Sequence, residues 1–331
     1  MNQQCTKEEY EQKMQEWNLQ SRVTYERAKE AFKNMLLTQA WHRALYIEQC
    51  EHCTGNYLEN DKDCHNCYFI SDEENCINSW RGAINVKDAL DCVSPAFNCE
   101  LVYYSSLVQD QCYDAKLSCD LIQCQFMEYC MHCFQCKHCF GCCGLVGREY
   151  YIFNKQYSPE EYEREKARII EVMKRTGEYG KFFPGHFAAA PYNESLAGFH
   201  WPLDEKTALR YGFWYKRREG KRQSTYDAAS EIPDSAKDAD DTLTKIVFWD
   251  EEEKYPFQIQ KADIAFAKKV GVPLPRTYFA HRLKENFRMI PFDGSLRAVT
   301  CAKCGTQTQT SWSKDYDKRL LCEQCYLKEV Y

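Results

Sequence analysis

Four cysteines near the end of the chain, Cys301, Cys304, Cys322 and Cys325, have the spacing of a metal site: two Cys-x-x-Cys knuckles separated by a polar stretch of hairpin length. Two such turns converging on one point give tetrahedral thiolate coordination, for which Zn2+ is the expected ion. With all four positions filled by sulfur, no site is open to water, so the metal is structural rather than catalytic. A ribbon this short cannot bury enough surface to fold without it.

A second group, Cys50, Cys53, Cys64 and Cys67, also permits a tetrahedral Zn2+ site by its spacing. The competing reading places Cys64 and Cys67 on a repeat coil, as buried thiols among other thiols. A third run, Cys130, Cys133, Cys136, Cys139 and Cys142, interleaved with His132 and His138, recurs every third residue. At that spacing some thiols are expected to point inward and others outward. A zinc or iron–sulfur cluster competes there with plain core packing.

Motifs of catalysis are missing: there is no phosphate loop ending in Gly-Lys-Ser/Thr, no Gly-x-Ser-x-Gly elbow and no His-Glu-x-x-His helix. The chain reads as a non-enzyme, with no catalytic residue and no small-molecule substrate.

The 21 cysteines dominate the composition. A disulfide scaffold needs an oxidising compartment, and the opening MNQQCTKEEYEQK lacks the basic and apolar stretches of a signal peptide. No apolar run is long enough to span a bilayer. The expectation is a soluble cytoplasmic or virion protein without membrane contact. A net charge of -6 gives the whole molecule no electrostatic attraction for nucleic acid, so any such binding must be local.

The elements that position these cysteines follow from pattern. Residues 1–49 read as a long N-terminal helix, opened by a Thr6/Glu9 capping box. A phase break near Gln20 to Val23 leaves a pair of helices as an equal alternative. Residues 50–157 read as a cysteine-rich parallel β-solenoid. A shift of 20 residues superposes Cys99, Cys119 and Cys139, which predicts coils of about 20 residues stacked roughly 4.8 Å apart. Ser158, Pro159 and Glu161 then open a capping helix that stops at Gly177 and covers one end of the stack, leaving the N-terminal helix for the other.

The rest of 158–245 reads as an aromatic extended segment and a charged linker, with a basic run at Lys216, Arg217, Arg218, Lys221 and Arg222. Residues 301–331 form the ribbon. The fold class is α+β, mainly β.

Three segments, CFGCCGLVGREYYIFNKQYSPEEYE, IPDSAKDADDTLTKI and the terminal CAKCG…LLCEQCYLKEVY, resemble cysteine-rich β-solenoid and zinc-ribbon proteins of candidate-phyla bacteria and some giant viruses, which are largely uncharacterised. The resemblance spans roughly residues 60–331. It implies the fold and assigns no activity. Within it, residues 246–300 are similar to a small zinc module in which one Cys-x-x-Cys precedes a Phe-x-Ile strand and another follows Pro-Arg. Here Tyr278 and His281 occupy the second pair, and no cysteine lies between 249 and 256. The resemblance therefore implies a degenerate module that has lost its metal and persists through Phe248, Phe257, Ile259 and Phe266.

Solenoids offer long stacked surfaces, so the expected role is a structural or adaptor protein within a large protein assembly, such as a minor capsid protein. The alternative is a nucleic-acid-associated factor, using the ribbon and the basic, aromatic loop 214–226.

Overall fold

The computed structural model describes residues 4–217 and 220–330; Arg218 and Tyr331 lie outside the described residues. Two compact units emerge, one joining the chain up to Ala40 with Ala188–Pro291, the other joining Trp41–Phe187 with the chain from Phe292 onward.

The second unit is built on a parallel β-solenoid, and its repeat is a triplet. Every third residue points inward, so Cys130, Cys133, Cys136, Cys139 and Cys142 are all buried. Each is preceded by a residue in the left-handed conformation: Tyr129, His132, Gln135, His138 and Gly141, with φ of 54°, 52°, 54°, 49° and 64°. The chain turns at each such residue, and four triplets close a coil. The expected division of this run into inward and outward thiols is therefore wrong, because the corner arrives before a thiol can face out.

The coil length is corrected as well. Gln125 lies against Tyr113 and Lys137, twelve residues away on either side, and Lys87 against Glu100, thirteen away. The longer coils insert a second left-handed residue at one corner, as at Ile84–Asn85 and Phe97–Asn98. The shift of 20 fails because a chain so rich in cysteine gives matches at many offsets. Cys119 occupies an outer strand position beside Ser106 and Met131, out of column with Cys99 and Cys139.

Asn and Asp recur at the corners because their short polar side chains tolerate the left-handed region. They also bond to the same corner of the next coil: Asn66 donates to Asn78 at 2.8 Å, and Asn78 to Asp91 at 2.7 Å.

Inside, the thiols satisfy carbonyls as well as filling space. Cys124 Sγ donates to the carbonyl of Ile122 two residues back (3.3 Å) and to that of Cys133 on the next coil (3.2 Å). Cys136 repeats the local bond to Phe134, and Ser105 makes it to Tyr103 at 2.8 Å. Cysteine suits these positions as a small hydrophobe with a weak donor.

At the C-terminal coils, helix Pro159–Thr176 has the expected Ser158/Glu161 capping box and stops at left-handed Gly177. Its buried Tyr162, with Ile169, Ile170 and Met173, packs on Leu117, Tyr129, Phe140 and Ile152. Lys166 pairs with Glu128 at 2.7 Å.

The first unit contains the N-terminal helices. They are a pair, Lys7–Trp17 and Arg22–Thr38, broken at left-handed Asn18 and restarted by the Ser21 N-cap. Helix ends at Thr38 rather than Gln49, because His42 and Arg43 form a strand. Within this unit the expected extended segment contains helices Leu196–His200 and Glu205–Arg210. The expected linker is part of a core, since Ile232, Ala236 and Leu243 are buried with Phe248, Ile259 and Leu274. Phe266, expected in that core, is 64% exposed. No helix among the described residues is long and apolar enough to cross a membrane.

Candidate metal centre

The ribbon begins at Phe292, nine residues before its first cysteine. Strand Phe292–Thr300 pairs antiparallel with Gln307–Trp312, and the first knuckle forms the turn between them. Cys301 N donates to Thr306 O (2.9 Å) and Gly305 N to Cys301 O (3.0 Å). Gly305 has φ 77°, a conformation costly for a residue with a Cβ. The second knuckle leaves the short strand Leu320–Leu321 and enters helix Glu323–Val330.

These turns bring the four Sγ atoms within 4.8 Å of one another. Cys304 and Cys322 are 3.7 Å apart. Sulfurs held about 2.3 Å from a central ion stand about 3.8 Å apart at tetrahedral corners, so the set fits a four-thiolate metal site.

Electrostatics point the same way. Burial pushes the Cys301 thiol up, but backbone N–H groups of Cys304, Cys322 and Lys303 together bring it down to about 6. Cys304, bonded by Thr306, is also lowered. Cys325, crowded by Cys304 and Cys322, is pushed up to about 12. Four adjacent sulfurs cannot all ionise on their own, and a divalent cation at their centre removes that conflict.

The ribbon docks on the start of the solenoid. Leu320 and Leu321 pair in parallel with His42 and Arg43. Buried Arg43 bridges Glu323 of the ribbon and Glu48 of the first coil, the latter at 2.7 Å. Trp41 lies under the Arg319 guanidinium at 3.6 Å, and Phe292 packs edge-on against Tyr57. The end of the stack expected to lie under the N-terminal helix is thus occupied by the ribbon.

Cys50, Cys53, Cys64 and Cys67 are not gathered into a site. Cys53 and Cys64 fall on successive coils of one inward column, and Cys67 lies on another. Cys50 and Cys53 donate to the carbonyls of Glu48 (3.1 Å) and Glu51 (3.2 Å), and Cys64 and Cys67 are core thiols. Among the described residues, the Cys301–Cys325 set is the one group of metal-ligating side chains that converges.

Three residues of the basic run are paired within their own unit. Lys216 pairs with Glu194 (3.3 Å), Arg217 with Glu205 (2.7 Å) and Arg222 with Glu251 (3.4 Å). Trp214 donates to Ala188 O, and Tyr226 stacks on Trp249.

Of the module expected at 246–300, residues 292–300 belong instead to the ribbon's first strand; in the remainder, a carboxylate stands where the 250–253 and 278–281 segments meet. Buried Asp250 accepts from Glu252 N and Glu253 N (both 3.0 Å) and from Tyr278 N (2.8 Å), and contacts His281 Nδ1 at 3.0 Å. His281 Nε2 meets Glu252 at 3.2 Å. Burial pushes Asp250 up, but the Glu253 and Tyr278 N–H groups and His281 hold it below the usual carboxylate range. Asp250 had a readable signal: Asp250-x-x-Glu253 and Tyr278-x-x-His281 keep the spacing of paired knuckles.

Glu73 is a buried acid at an inward solenoid position that nothing in the local sequence marks. No protein-family model and no curated protein matches the chain.

Proposed function

We propose that the protein is a structural adaptor, a zinc-stapled ribbon and solenoid that present one rigid surface to protein partners in a large assembly such as a virus particle. One observation carries this reading. Ile77, Leu90 and Tyr103 stack in register on consecutive coils and are 42%, 38% and 37% exposed. The same ladder continues through Lys116, Glu128, Phe140 and Ile152. From Glu128 onward it is covered by the protein's own helix Pro159–Thr176. Half of one face is sealed by an amphipathic helix and half is left open, as a surface kept for a partner element would be. Zinc is the ion that best matches four cysteines in tetrahedral array.

A photo-crosslinking residue placed at Leu90, with Gln125 as the control on another face, tests this in the native host assembly. A discrete protein adduct from Leu90 alone supports the adaptor reading. Adducts to RNA or DNA, or equal yields from both positions, would overturn it.

A further inference from the structure

Each residue of the open ladder lies in the middle of a coil side, between two left-handed corners. Asp88 and Asp91 flank Leu90, and Leu101 and Tyr104 flank Tyr103, with φ of 53°, 57°, 58° and 43°. Leu101 and Tyr104 are 40% and 43% exposed. The left-handed conformation is costly for a side chain that is neither glycine nor a short polar one, and leaving an apolar side chain in water adds to that cost. Further along the corner of Tyr104, Leu117 and Tyr129 adopt the same conformation, with φ of 53° and 54°, but both are buried in one cluster with Tyr162 of the covering helix. Burial offsets the strain there. On the open half, no helix of this chain provides the same cover among the described residues.

The charges around the open half have one sign. Asp88 accepts from Asn75 of the preceding coil (3.2 Å) and Asp91 from Asn78 (2.7 Å), both neutral donors. Lys87 is paired with Glu74 (3.2 Å) and Lys116 with Asp114 (2.7 Å), which leaves Asp88 and Asp91 without an ion pair among the described residues. On the covered half, by contrast, the ladder acid Glu128 is met by Lys166 of the helix. A second copy presenting this same face would set Asp88 and Asp91 against like charges, so self-association is disfavoured.

We propose that the open half receives an amphipathic helix of a protein partner, its apolar stripe on Ile77, Leu90, Leu101 and Tyr103 and its lysines or arginines on both flanks against Asp88 and Asp91. The inference rests on the adaptor reading and adds to it the chemistry of the partner element. Helix-in-groove recognition of this kind takes its affinity from the apolar anchors and its selection among partners from the flanking charges.

Fluorescence anisotropy with the full chain tests it, using a labelled leucine/lysine amphipathic helix of 18 residues, the length of the chain's own covering helix. A leucine/glutamate helix of the same pattern is the comparator. Saturable one-site binding of the lysine helix at low salt is expected, with the glutamate helix weaker by about tenfold or more. Asp88→Asn/Asp91→Asn should bring the two peptides together. Leu101→Asn should raise the melting temperature, by relieving the corner, and yet weaken the lysine helix; a purely structural Leu101 would leave binding unchanged. Absence of saturation, equal binding of the two peptides, or indifference to all three substitutions would overturn the proposal. A protein adduct from Leu90 in the host assembly combined with any of those results sinks the basic helix alone and leaves the adaptor reading standing; absence of the adduct sinks both.

Discussion

His42 pairs with Leu320 in parallel register, so the strand that leads into the first solenoid coil is also an edge of the four-cysteine ribbon. Asn56 reinforces this joint: its Oδ1 accepts from Tyr46 N (2.7 Å) and Tyr57 N (3.0 Å), and its Nδ2 donates to Ser311 Oγ (2.7 Å). Asn56→Ala leaves the Tyr46 and Tyr57 N–H donors on the solenoid side and the Ser311 hydroxyl acceptor on the ribbon side without this partner. A loss of about 3 kcal/mol is expected, read from the urea midpoint.

Ile84 takes a corner position with φ 63° and is 43% exposed. A β-branched residue is strained in the left-handed region, and little burial compensates it. Ile84→Asn should therefore stabilise the protein by about 1 kcal/mol, although it replaces a hydrophobe with a polar residue. A lower melting temperature for the variant would contradict the corner assignment.

Cys136 sits in a coil whose four inward positions are all cysteine. Cys136→Val adds volume and removes the bond to Phe134 O, so a loss of about 1–3 kcal/mol is expected. Cys136→Ser keeps a donor at similar size and should cost less. Equal losses in thermal unfolding would argue that volume alone decides these columns.

Glu73 is 2% exposed inside the solenoid, and neither carboxyl oxygen has a hydrogen-bond partner. Asp61, Cys64, Cys76 and Ser79 surround it, and burial pushes it up from 4.5 to about 8. The protonated form is the one the fold accepts. Its stabilising advantage is complete below about 4.5 and is lost as pH rises through 8, by at most about 1.4 kcal/mol per unit. Glu73→Gln should flatten the pH dependence of the urea midpoint across that interval. A wild-type and variant difference that does not change with pH would refute a neutral Glu73.

Much of this architecture was legible because its signals are local. The Cys301–Cys325 spacing, the Thr6/Glu9 and Ser158/Glu161 caps and the break near Gln20 each depend on residues a few positions apart. The coil length was not, because period-three cysteines leave the closing number of triplets open. That number is set by left-handed corners, which here include Ile84, Phe97 and Tyr129 as well as Asn and Asp. The ribbon's seat on the first coils was equally hidden, since Asn56 and Ser311 are 255 positions apart.

Elemental analysis of the protein purified without added metal or chelator tests the central claim most directly: the 21 cysteines reduce to one zinc site beside a metal-free thiol core. One zinc per chain is expected, lost together with the ribbon fold in Cys304→Ser/Cys325→Ser. Two or more zinc ions per chain, or an undiminished content in that double variant, would contradict it.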